Sequence, residues 1–175
     1  MPTVDEIRKL AETGRLAFEA GQYRSAAGSF QAAAQGYAAI RDDLNAAEMR
    51  NNQSVALLQA GDARAALEAA AGTEEIFARA GDLKRQGMAA GNQAAALEGL
   101  KAFDEALSAY ERSARLFADA NEGDLRSMVL KSAAGIKLKR GKVGESALNM
   151  IGSLEAKQRP SLFDRILKFL LRFRP

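Results

Sequence analysis

The chain contains no cysteine, no histidine and no tryptophan. Without cysteine neither a disulfide framework nor a thiolate metal site can form. Without histidine the commonest general base and the commonest metal ligand are missing. Proline is nearly absent too: Pro2, Pro160 and Pro175 are all there is, so nothing between residues 3 and 159 removes a helix N–H or forces a break. Aromatic residues make up 6% of a chain that is 47% hydrophobic, and alanine, the best helix former, supplies much of the difference. No apolar run approaches the roughly 20 residues of a membrane span, and the first residues show no charged-then-apolar signal pattern. Serine, lysine and carboxylates are present, but no spacing organises them into a nucleophile motif or a phosphate loop. The expectation is an all-helical, non-enzymatic, cytoplasmic protein with no cofactor, metal, small-molecule substrate or nucleic-acid partner.

What the chain does have is a 40-residue register. Gly21, Gly61, Lys101 and Gly141 mark it. Five residues on stand Ala26, Ala66, Ala106 and Ser146, and seven residues before stand Gly14, Ser54, Ala94 and Ala134, all small. Sixteen after the marker runs an aromatic ladder, Tyr37, Phe77 and Phe117, which ends at Lys157. A period in this range means stacked supersecondary units that share a continuous core and present a binding surface. Glycine at the marker suits a left-handed residue closing a helix, and a second set of breaks near Arg41, Gly81 and Asn121, each beside acidic residues, suits the cap of the next. The pattern predicts eight helices in four antiparallel pairs, at about 3–20 and 22–40, 44–60 and 62–80, 83–100 and 102–120, 124–140 and 142–156. Tyr23, Phe30, Tyr37, Phe77, Phe103, Tyr110 and Phe117 are the expected core.

The residues Gly14, Gly21, Tyr23, Ala26, Phe30 and Ala33 in the first unit, and Ala94, Phe103, Ala106, Tyr110 and Ser113 in the third, resemble the tetratricopeptide repeat. The 40-residue spacing is similar to that of its kinesin-light-chain-like branch. The resemblance covers about residues 5–156 and implies a right-handed α-solenoid over residues 1–156, whose first helices line a concave groove for an extended peptide or a helix of a protein partner. By that family's register the groove residues are Arg15, Phe18, Asn52, Val55, Leu58, Asn92, Ala95 and Glu98. The branch uses asparagines on this helix to hold peptide main chain, which implies the same for Asn52 and Asn92; bonding inside the repeat, or simple hydration, is the alternative. The carboxylate clamp of the family's co-chaperone members is incomplete, with Met88 and Asn92 at expected basic positions.

Charge is uneven. Residues 1–130 hold 14 Lys/Arg against 19 Asp/Glu, and residues 131–175 hold 11 against 3. The segment 157–175 joins this basic character to a wide apolar face: Leu162, Phe163, Ile166, Leu167, Phe169, Leu170, Leu171 and Phe173 face away from Arg165, Lys168, Arg172 and Arg174. Ser161 is the expected cap of an amphipathic C-terminal helix following a Pro160 hinge. Three uses stay open for it: insertion in an anionic membrane surface on the inner face of a membrane, or contact with a membrane complex; capping of the last repeat; and docking in a partner's groove or on a second copy.

Overall fold

The computed structural model describes residues 2–141 and 143–157; the expectations for the hinge and C-terminal helix therefore lie outside the described residues. Within them the chain is all-α, with nine helices and no strand. These are α1 (Val4–Glu19), α2 (Tyr23–Ala39), α3 (Asp43–Gln59), α4 (Ala63–Ala70), α5 (Thr73–Arg79), α6 (Leu83–Gly99), α7 (Phe103–Asp119), α8 (Gly123–Lys139) and α9 (Val143–Ala156). Each helix packs chiefly on its neighbours in sequence, which is the contact pattern of a solenoid.

The turns are the same device repeated. Gly21, Arg41, Gly61, Gly81, Lys101, Asn121 and Gly141 all have positive φ, between 56° and 85°. They fall twenty residues apart. The residue after each of the first six donates its N–H to the carbonyl five back: Gln22 to Ala17, Asp42 to Tyr37, Asp62 to Leu57, Asp82 to Phe77, Ala102 to Leu97 and Glu122 to Phe117, at 2.8–3.0 Å. This is the Schellman closure, which occupies carbonyls the helix end would otherwise leave open. Glycine adopts the left-handed conformation freely; Arg41 and Lys101 do so against the crowding of their own Cβ. The following helix is then capped by Asp42, Asp62 or Asp82, whose carboxylates accept from the N–H three residues on, where an acceptor and a negative charge both suit the helix start.

Small residues set how closely the paired helices cross. A Cβ on Gly14 would lie 2.8 Å from the Phe30 ring, and one on Gly87 would lie 2.9 Å from the Phe117 ring. In the second and fourth pairs a serine closes the crossing: the Ser54 hydroxyl donates to the Ala66 carbonyl at 2.7 Å, and Ser146 to Ala134 at 2.9 Å. Phe30, Tyr37, Phe77, Tyr110 and Phe117 are buried as expected. Tyr23 and Phe103, also expected in the core, are half-buried, because each opens its helix directly after a turn. Lys137, on the first helix of the fourth pair, is buried; its ammonium donates to Asn149 at 3.2 Å and to Glu111 at 3.4 Å, joining α7, α8 and α9.

One expected helix is broken. Residues 62–80 form α4 and α5, parted by an extended Ala71 and by Gly72 at φ +75°. Ala70 stands where the other second helices carry Phe30 and Tyr110, so a ring's volume is missing, and α3 and α6 come into contact there. The freed carbonyls find partners across the gap: Arg50 donates to Ala71 at 2.6 Å and Gln93 to Ala70 at 3.4 Å. The Thr73 hydroxyl lies 2.7 Å from the Ala70 carbonyl and 2.9 Å from Asn51 Oδ1. A break whose opened carbonyls find partners costs far less than a bare one.

Phe117→Ala should lower stability by about 3–5 kcal/mol in urea unfolding. Gly87→Ala, which drives a methyl into the same ring, should cost about 1–3 kcal/mol. Gly28→Ala, on a helix face with nothing within 4 Å of the new methyl, should instead stabilise by about 0.5–1 kcal/mol. Equal effects at Gly28 and Gly87 would show that the crossing is not where the tight packing lies.

Candidate functional site: a concave cleft between α1 and α3

The first helices of the pairs are not evenly spaced. Between α1 and α3 lies a cleft of about 410 Å³. Its floor comes from α2 and α3: Phe30, Tyr37 and Met49 are core residues that also reach the cleft, with Phe18 and Val55 above them. Phe18 is steadied across the first turn by Tyr23, edge to face at 5.3 Å between ring centres. Its rim is polar, made by Arg8, Glu12, Arg15 and Glu19 of α1 and by Asn52 of α3.

Arg15 is already engaged. Its guanidinium forks onto Glu12 at 2.8 and 2.6 Å and also donates to Glu19. The hydrogen bonds from Arg15 hold the Glu12 carboxyl below its ordinary value and push the Arg15 pKa up. Arg15 therefore meets an incoming group as part of an exposed triad carrying one net negative charge, and not as a bare cation. Asn52 is the opposite case. Among the described residues no hydrogen bond occupies its side-chain amide, nor that of Asn92. Asn51, its neighbour, is the residue that pairs within the fold, through Thr73.

Of the groove residues expected from the resemblance, the structure brings Arg15, Phe18, Asn52 and Val55 into one cleft. Leu58, Asn92, Ala95 and Glu98 do not join it. Leu58 packs toward α6, where its Cδ1 lies 3.4 Å from a Cβ built on Gly99. Glu98 is taken up within the fold: it accepts from the Tyr110 hydroxyl at 3.1 Å and from Lys139 at 3.3 Å. Asn92 and Ala95 are half-buried on α6. Absent from that expectation were Arg8, Ala11, Glu12, Glu19 and Met49, and also Phe30 and Tyr37, which had been read as core alone. The signal for α1 was available, since residues 8, 11, 12, 15, 18 and 19 make one helix face.

The next interval is closed by Arg85 at the start of α6. Its guanidinium donates to Glu48 of α3 at 3.1 Å and to Asp82 at 2.6 Å, and lies 5.2 Å above the Phe77 ring. Asp82 is held below its ordinary carboxyl value, first by the backbone N–H of Arg85 and then by its guanidinium. At the other end of α6 a Cβ on Gly99 would lie 2.7 Å from Ala63 of α4 and 3.4 Å from Leu58 of α3. Among the described residues no group of three or more metal-ligating side chains is placed to hold an ion, and no helix is long and apolar enough to cross a membrane.

Because the folded Asp82 pKa lies below the unfolded one, its stabilisation is present above about pH 4 and is lost as pH falls through the folded value. Asp82→Ala should cost about 1 kcal/mol at neutral pH. The gap between variant and parent should shrink as unfolding is followed down through the acid range; a gap constant with pH would remove the ionic cap. No protein-family model matches this chain, and neither does any curated protein.

Proposed function

We propose that this protein is a non-enzymatic interaction scaffold of tetratricopeptide-like build, which holds an extended segment of a protein partner in the cleft between α1 and α3. The observation that carries the reading is the unengaged Asn52 amide at the edge of an apolar floor. An amide offers a donor and an acceptor together, which matches the N–H and C=O that an extended peptide leaves unpaired. A helix would arrive with those groups already bonded to each other, so the extended form is the better fit. Apolar side chains of the segment would sit on Phe18, Phe30 and Val55, where release of water from both surfaces drives association. Glu12 and Glu19 flank the entrance and favour a basic residue beside the seated side chain.

The non-enzymatic part of the proposal rests on the lack of histidine and cysteine and on the absence of an organised acid–base or nucleophile pair in the cleft. Its carboxylates are exposed and held by Arg15, the reverse of the desolvated setting that prepares a carboxyl for proton transfer. A cytoplasmic address belongs to the same proposal, since a chain with no disulfide to lose is at home in a reducing compartment.

The test is selection of peptides from a random display library on the whole protein, followed by calorimetric affinities for the best binders. Phe18→Ala and Asn52→Ala should each weaken binding by about tenfold or more. Glu68→Ala, on an exposed face of α4, should leave it unchanged. Peptides that bind all three variants equally well would place the binding surface elsewhere.

A further inference from the structure

Among the described residues no helix covers α9 as α3 covers α2 and α8 covers α7. In α2, Ala27 and Phe30 are buried in a cluster with Ala46 and Met49 of α3. In α7, Leu107 and Tyr110 are buried in a cluster with Ala133 of α8, with Val129 packed against it. The residues of α9 at the same register, Ala147 and Met150, are only half-buried. A helix that follows α9 as α3 follows α2 would complete them.

The register says where such a helix would begin. Helices start at residues 23, 43, 63, 83, 103, 123 and 143, so the next start falls at 163. Carried forward by whole repeats, the covering positions of Ala46 and Met49 become Ile166 and Phe169, and those of Val129 and Ala133 become Phe169 and Phe173. All three are large and apolar, and the register pairs them with a position where Met150 replaces a ring, so added volume on one side would meet reduced volume on the other. Pro160 stands where earlier turns have the residue that donates its N–H to the carbonyl four back, as Ala20 does to Leu16. Proline has no N–H, and α9 accordingly ends at Ala156, short of the register. Six residues, 157–162, have a reach of about 20 Å, ample to bring residue 163 back onto α9.

We propose that residues 163–173 dock on this face of α9 in the same chain, as the first helix of a fifth half-repeat. The apolar side of the segment is then used up within the solenoid and is not free for a membrane. Lys168 and Arg172 fall at the register of Met128 and Ser132, which places two positive charges at the far end of the concave face, beyond the cleft proposed to hold the peptide. This assignment stands independently of that cleft.

The cysteine-free chain makes the test clean. A single Met150→Cys variant should react slowly with a maleimide, and adding Ile166→Asp and Phe169→Asp should speed the reaction at least about tenfold, since access then no longer waits on local opening. In an otherwise unchanged chain, Met150→Cys with Phe169→Cys should form a disulfide within one molecule at dilute concentration under mild oxidant, whereas Ser108→Cys with Phe169→Cys should not. The proposal is overturned if labelling is equally fast with and without the aspartates. It is also overturned if the disulfide joins two chains only, which assigns the segment to a second copy. Flotation with phosphatidylserine-containing vesicles, accompanied by fast labelling of the Met150→Cys thiol, would give the segment to a membrane surface instead.

Discussion

Six helix ends among the described residues depend on one backbone arrangement: a left-handed residue, then an N–H that reaches back five residues to close the helix it has just left. Because that closure recurs every twenty residues, whole elements have the same length and begin at the same phase. The rows of side chains facing a neighbour therefore repeat from pair to pair, and small residues at the crossings serve every pair in turn. If one turn moved by a residue, the helix after it would rotate by about 100° and lose its buried face. The turn thus sets the packing, and not the reverse. That is why Arg41, Lys101 and Asn121 are held in a conformation that only glycine adopts without strain.

The 40-residue register was legible because glycine and small crossing residues leave a direct mark on the sequence. The finer twenty-residue spacing was partly hidden, since three of its seven left-handed positions carry side chains. The break at Ala71–Gly72 could not be read locally. Ala69-Ala70-Ala71 is a strong helix former, and a lone glycine is tolerated inside a helix at modest cost. What decides the matter is long-range: Arg50 and Gln93 donate to the opened carbonyls of Ala71 and Ala70, and Asn51 lies against the Thr73 hydroxyl; none of these pairings has a local sequence signature. The candidate site was half legible for a related reason. The register of the resembling family names Arg15, Phe18, Asn52 and Val55 together, and these four line one cleft. The register does not tell how far apart successive first helices stand, and that spacing separates an open cleft from a closed seam.

The spacing itself has a physical source. Between α1 and α3 the rings of Phe30 and Tyr37 prop the first helices apart from below, and Arg15 is drawn along its own helix toward Glu12 and Glu19, not across to α3. Between α3 and α6 the ring at the Phe30 position is gone, and Arg85 crosses the interval to Glu48 instead. One missing aromatic, and an arginine that stands at a register position where the preceding repeat has Asn45, give successive intervals of a repeat different surfaces. A repetitive chain can hold one specific site in this way without breaking its turns.

Phe30 and Tyr37 then carry two duties at once, since both are buried in the first core cluster and both line the cleft. Anything seated on them rests on the packing between α1, α2 and α3, so occupancy of the cleft and cohesion of the first two repeats are linked quantities. At the far end α8 and α9 are joined through Lys137, Ser146 and Ser153, which make buried polar contacts. The cleft proposed to bind a peptide shares its aromatic rings with the core of the first two repeats, so binding there would be coupled to stability. The last pair is held instead by buried polar contacts. That division follows from where the rings stand in a common register.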